Sequence, residues 1–188
     1  VPGWGAHYLR AFRTALDREV DVNGGNKMKT KIAIVDTMFA RGDMGKIALE
    51  TMQKNAKENN WKIEIVKETV PGIKDIPVAM LRLLESGCKI GLALGMPGGQ
   101  NVDKTCAHEA STGIQQVQLM TRKTVLECFV HEDEAKDDDK ELASIMHNRS
   151  SKHALNILWI LFKQEELAKR AGSGERQGKE NAANVELK

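Results

Sequence analysis

Lys31-Ile32-Ala33-Ile34-Val35 runs straight into Asp36-Thr37-Met38-Phe39-Ala40-Arg41, and the break between the two halves decides how the chain is read. A short apolar run rich in Ile and Val, without polar alternation, is what a strand buried on both faces presents. The polar residues after it mark the loop at that strand's carboxyl end. Three further runs repeat the pattern: Lys62–Val66 (KIEIV), Lys89–Leu94 (KIGLAL) and Thr124–Val130 (TVLECFV). Segments of helical period at about 43–58, 75–86 and 103–121 separate them. Strand and helix in alternation predict an α/β fold, a four-stranded parallel sheet flanked by helices. A fourth helical pattern, about 140–163, aligns Leu142, Ile145, Met146, Leu155, Leu158, Trp159 and Phe162 to cover the sheet or a neighbouring subunit.

Outside this rhythm lie two different flanks. Residues 6–21 (AHYLRAFRTALDREVD) place Leu9, Phe12, Leu16 and Val20 at helical spacing, and Asn23-Gly24-Gly25-Asn26 then breaks the pattern. Residues 1–27 therefore read as an appended amphipathic helix and Gly linker. They are either a segment (1–21) that docks on a protein partner or a fused remnant packed loosely on the domain. The domain itself spans 28–171, and the polar, Gly-rich residues 172–188 are expected to fray.

With 188 residues, 41% hydrophobic and 29% charged, the composition suits one globular domain. Lys and Arg number 28 against 26 Asp and Glu, and a net charge of +2 creates no field that would draw nucleic acid or an acidic membrane. No apolar run approaches the roughly 20 residues of a membrane span, and no signal peptide is visible, so a cytoplasmic location is expected. Cys88, Cys106 and Cys128 form no CxxC pair and leave one unmatched in any disulfide scheme. They read as reduced, small core residues.

Ligands of open parallel sheets bind outside the carboxyl ends of the strands. The loops there are Asp36–Arg41, Thr69–Pro77 with its Pro71-Gly72 turn, Gly95–Gln100 leading into a helix, and His131–Ala135. Each carries polar or turn-forming residues. None holds an obvious nucleophile paired with a base. His131 and Glu132, leaving the last strand, and Asp36, leaving the first, are the candidates for proton transfer. Asp137–Asp139 read instead as an acidic helix start, and His108-Glu109 inside a helix as a packing or interface pair.

In this order, KIAIVDTMFAR, TVPGIKDIPVA, ALGMPGG, AHEAS and FVHEDEAKDDDKEL resemble the archaeal-type riboflavin synthases, relatives of lumazine synthase. The resemblance runs from about Met28 to Gly178. It implies a three-layer, lumazine-synthase-like (flavodoxin-like) fold and a homo-oligomer, a pentamer or a dimer of pentamers, with active sites between subunits. The reaction implied is dismutation of two molecules of 6,7-dimethyl-8-ribityllumazine to riboflavin and 5-amino-6-ribitylaminouracil. No organic cofactor is implied, and a divalent cation, Mg²⁺ or Mn²⁺, is expected to assist, with oxygen ligands on offer in the acidic fourth loop.

By the same resemblance, Thr37, Met38, Phe39 and Ala40 form the ring-binding loop, with Phe39 as an apolar face. The alternative for Phe39 is a plug in the core. Pro71, Gly72, Lys74 and Asp75 match the stretch that holds the ribityl chain, where Asp75 either accepts hydroxyl hydrogen bonds or caps its helix. Met96, Pro97 and Gly98 match the loop that meets the pyrimidine edge. Beyond it, Gln100-Asn101-Val102-Asp103 stands where lumazine synthase carries a phosphate loop, which argues against that enzyme. Lumazine synthase itself, and an oligomeric scaffold displaying the N-terminal helix, are the competing readings.

Overall fold

The first apolar run becomes strand β1 (Thr30–Thr37) in the computed structural model, which describes residues 29–183 and 185. It is followed by α1 (Met44–Glu58), β2 (Ile63–Val70), a short 3₁₀ turn (Ile73–Asp75), α2 (Ile76–Glu85), β3 (Ile90–Gly95) and α3 (Asn101–Thr121). Then come β4 (Val125–Phe129), a second 3₁₀ turn (Glu132–Ala135), α4 (Asp139–Phe162) and a short α5 (Gln164–Arg170). All strand pairs are parallel, in the order β2-β1-β3-β4. The expected strands and helices are all present. The amphipathic helix expected over 6–21, and the linker after it, lie outside the described residues.

Side chains of a strand point alternately to opposite faces, so each central strand feeds two cores. Ile32 and Ile34 of β1, with Leu92 and Leu94 of β3, pack against Met44, Ala48 and Met52 of α1 and Ala154, Ile157 and Leu158 of α4. Ala33, Val35 and Ala93 face the other way, against Ile76, Ala79, Met80 and Leu84 of α2 and Ile114 and Val117 of α3. The result is three layers with the sheet in the middle. Cys88 and Cys128 are buried in these cores as free thiols, while Cys106 is only half-buried.

Local chemistry sets where the helices begin. Asp43 Oδ1 accepts the Lys46 N–H at 2.7 Å, and Asp138 Oδ1 accepts those of Lys140 at 2.8 Å and Glu141 at 3.2 Å. Each carboxylate satisfies amides that a first helical turn leaves open. The far end of α4 is fixed by a stack of Phe162 on Trp61, with ring centroids 4.9 Å apart.

The polar tail departs from expectation. Residues 174–182 close into a loop through the Ala182 N–H on the Gly174 carbonyl at 2.9 Å. Asn148 Oδ1 accepts the Gly178 N–H at 2.7 Å, and Lys152 Nζ donates to the Arg176 carbonyl at 3.2 Å. The segment lies on α4 because that helix offers polar side chains to its backbone, a signal that composition does not carry.

Leu92 sits at the middle of the sheet with no exposed surface. Leu92→Ala should cost about 2–5 kcal/mol, the usual price of an unfilled core cavity. Urea unfolding should show the lower midpoint with an unchanged slope.

Candidate active site

Because β1 neighbours both β2 and β3, the chain leaves it in one direction and returns on the other side. Loops there diverge and leave a crevice at the strands' carboxyl ends. A cleft of about 380 Å³ opens at this point. Thr37 and Phe39 line it from the loop after β1, Gly72 and Lys74 from the loop after β2, and Met96, Pro97 and Gly98 from the loop after β3. Glu132 joins from the loop after β4, with Ile73, Asp103 and Cys106 filling the gaps. Four segments distant in sequence thus meet in one place.

Phe39 is 70% exposed, which settles its alternative reading: it is no core plug but an aromatic face at the cleft mouth. Met96 is buried and anchors its loop in the α1/α4 core. The Pro97 carbonyl accepts the Glu132 N–H at 3.1 Å, tying the third loop to the fourth. Gly98 has no room for a side chain, since an added Cβ would overlap the Asp103 carboxylate. Asp103 in turn accepts the Gln100 N–H at 3.1 Å at the start of α3.

Other expected residues are placed elsewhere. Strand parity turns Thr37 toward the cleft and Asp36 toward α1. There Asp36, 6% exposed, accepts the Thr69 hydroxyl at 2.6 Å and pairs with Lys67 at 2.8 Å. Gly45 is required beneath it, as a Cβ would overlap that carboxylate. Asp36 lines a second pocket of about 280 Å³ with Met38 and Ala40, which adjoins the cleft at Thr37. Pro71 is exposed outside the cleft lining. Asp75 Oδ2 accepts the Gly72 N–H at 2.9 Å, closing the turn. Asp75 makes no side-chain cap on α2. The Lys74 ammonium meets Glu109 of α3 at 2.6 Å, and that carboxylate raises its pKa.

The acidic fourth loop is largely neutralised by partners. Asp133 pairs with Lys104 at 2.6 Å, Asp139 with Arg41 at 2.6 Å, and Glu134 takes both guanidinium nitrogens of Arg149. Burial pushes Glu134 up, yet Arg149 and the His131 N–H hold it below the ordinary carboxylate range. The small depression among these acids, about 140 Å³, already has Arg41 in its wall. Among the described residues no group of three His, Cys, Asp or Glu is placed to hold a metal ion.

His131 does not enter the cleft with Glu132. It lines a larger, open hollow of about 760 Å³ on the edge strand β4, and among the described residues its buried Nδ1 has no hydrogen-bond partner. Glu127, which the sequence reading passed over, stands in the same hollow and accepts the Ser111 hydroxyl at 2.8 Å. A Glu inside TVLECFV, where packing asks for an apolar residue, was the available signal.

A parallel α/β sheet with its cleft at the switch point defines the class of ligand-binding three-layer proteins. Within that class the chain belongs to the 6,7-dimethyl-8-ribityllumazine synthase family, which matches residues 29–165. It is 50% identical over 153 residues to the riboflavin synthase of Methanothermobacter thermautotrophicus, covering 81% of this chain and 97% of that protein. The riboflavin synthase of Methanothermobacter marburgensis is 51% identical over 150 residues (79% and 95%), and that of Archaeoglobus fulgidus 43% over 149 (79% and 94%). Among the described residues no helix is long and apolar enough to cross a membrane.

Gly98→Ala tests the tight contact with Asp103. Overpacking of this kind costs about 1–3 kcal/mol. Denaturant unfolding should show that loss, and Asp103→Ala in the same chain should recover most of it.

Proposed function

We propose that this chain is a riboflavin synthase that converts two molecules of 6,7-dimethyl-8-ribityllumazine into riboflavin and 5-amino-6-ribitylaminouracil. The observation that carries the reading is the near full-length match to curated riboflavin synthases combined with a cleft that gathers Phe39, Gly72, Lys74, Met96, Pro97 and Gly98. The lumazine ring lies against Phe39 with its pyrimidine edge toward the Met96–Gly98 backbone, and the ribityl chain extends toward Gly72 and Lys74. At about 380 Å³ the cleft is near the small end of the roughly 300–1,000 Å³ typical of small-molecule sites, room for one substrate and not two. A second ring then needs surface from another subunit. That supports a homo-oligomer; the pentamer or dimer of pentamers, and work in the cytoplasm, belong to this proposal through the family resemblance alone.

The chemistry asks for alignment before it asks for a strong catalyst. A ring methyl of the lumazine is acidic because its carbanion delocalises into the heterocycle, so holding two rings in register supplies much of the rate. His131, with an unpartnered buried Nδ1, is the proton carrier of this reading. Lumazine synthase activity is disfavoured by charge: the start of α3 presents Asp103, whose carboxylate accepts the Gln100 N–H, beside Glu132. A substrate phosphate would be repelled there.

Anaerobic incubation of the purified protein with 6,7-dimethyl-8-ribityllumazine should yield riboflavin and the ribitylaminouracil in equal amounts. A folded oligomer that makes neither product ends the reading. Phe39→Ala should weaken lumazine binding by up to about tenfold, the worth of a ring contact, with an unchanged melting temperature. His131→Ala should lower kcat by about 10²-fold or more while KM moves little; equal kinetics would remove His131 from the mechanism.

A further inference from the structure

Among the described residues strand β4 has a neighbour on one edge only, and its residues alternate between the two cores. Val125 and Phe129 face the α2/α3 core, so Glu127 between them shares that face. A carboxylate there is costly unless it is compensated. Among the described residues its one hydrogen-bond partner is the Ser111 hydroxyl, and no Lys or Arg pairs with it. Of the cations around the hollow, Lys104 is engaged with Asp133 and Arg149 with Glu134, and Lys179 lines it without a contact to Glu127. Burial pushes the Glu127 carboxyl up, which makes it a better base than an ordinary surface glutamate.

The hollow that Glu127 and His131 line is about twice the size of the cleft and, among the described residues, stands open on its outer side. Within one chain the two sites do not merge. Asp103, Cys106 and Glu132 face the cleft, while their neighbours Lys104, Ala107 and His131 face the hollow. The Lys104–Asp133 ion pair stands on the hollow side and the Glu132–Pro97 hydrogen bond on the cleft side. Glu127 lines the hollow and not the cleft.

We infer that Glu127 is a catalytic base supplied from the β4 edge of one subunit to the cleft of the adjacent copy, where it deprotonates a ring methyl of bound ribityllumazine. This rests on the riboflavin synthase reading above. In the step, the methyl C–H bond breaks and its electron pair delocalises into the ring as an exocyclic enamine, while the proton passes to the Glu127 carboxylate. Nothing is oxidised or reduced. The carboxylic acid gives the proton back to the amine of the departing ribitylaminouracil, which restores the carboxylate. His131, just past the end of β4 and lining the same hollow, is the group placed to handle the remaining proton.

Glu127→Gln keeps the shape and leaves an oxygen for Ser111. In D₂O, NMR of the ribityllumazine ring methyls should show protein-catalysed loss of one methyl signal above the protein-free rate. Glu127→Gln should slow that exchange and riboflavin formation about 100-fold or more, the usual worth of a general base, with oligomer mass and lumazine affinity retained. Reassembling Glu127→Gln with Gly98→Leu, whose cleft is blocked, should recover activity to about a quarter of wild type, because random pairing puts an intact cleft beside an intact Glu127 that often. Exchange and turnover by Glu127→Gln within threefold of wild type, or no recovery on mixing, would overturn the assignment. If wild type makes riboflavin in those same experiments, the enzyme reading survives that loss. If wild type makes none, both fall together.

Discussion

Strand β1 is hydrogen-bonded on both edges and covered by helices on both faces, and the site inherits its geometry from that position. Each residue of such a strand must commit to one of two cores. Ile32 and Ile34 take one, Ala33 and Val35 the other. The alternation runs to the last pairs of the β1–β2 ladder, Asp36 with Thr69 and Thr37 with Val70. It carries Asp36 under α1, where Lys67 and Thr69 meet it, and Thr37 to the opposite side, where the loops after β2 and β3 stand apart. One peptide unit therefore separates a structural carboxylate from a cleft wall.

The opposite constraint acts at β4. An edge strand with one partner leaves part of its flank uncovered, and a polar side chain can be accommodated there without breaking the sheet. Glu127 and His131 use that freedom. A fully covered strand could not carry them, since burial of an unpaired carboxylate between two helices and two strands would cost several kcal/mol. Function in this fold is thus divided between the centre of the sheet, which shapes a cleft, and its edge, which tolerates titratable groups.

Much of this was legible in the sequence because it depends on periodicity. Apolar runs of 5–7 residues, helical repeats between them and four polar loops suffice to place Thr37, Phe39, Gly72, Lys74, Met96, Pro97, Gly98 and Glu132 in one region. Three features were not legible. Asp36 looks like any loop carboxylate until strand parity and a lysine 31 positions away are known. Glu127 interrupts an apolar run, which signals a tolerated polar group but not that Ser111 and His131 stand beside it. The tail folds back through backbone-to-side-chain bonds to α4, which depend on where Asn148 points and not on hydrophobicity. Pairwise polar contacts across long sequence separations leave no periodic trace, and these are the contacts that decided all three.

The distribution of charge in the fourth loop explains why so few groups remain for chemistry. Helix dipoles draw Asp138 and Asp139 to the start of α4, and nearby cations then claim Asp133, Glu134 and Asp139. Glu134 and Arg149 are mostly buried, so removing either charge would strand the other in a poor solvent. The pair consequently acts as a fixed post beneath the hollow, with Arg149 Nη1 also holding the Phe129 carbonyl at 3.2 Å at the end of β4. Rigidity at that point fixes the direction in which β4 presents its outer face. A carboxylate one residue pair back along the strand is then aimed by the sheet, not by its own rotamer freedom, which is the condition for a base that must meet a substrate held by a different subunit.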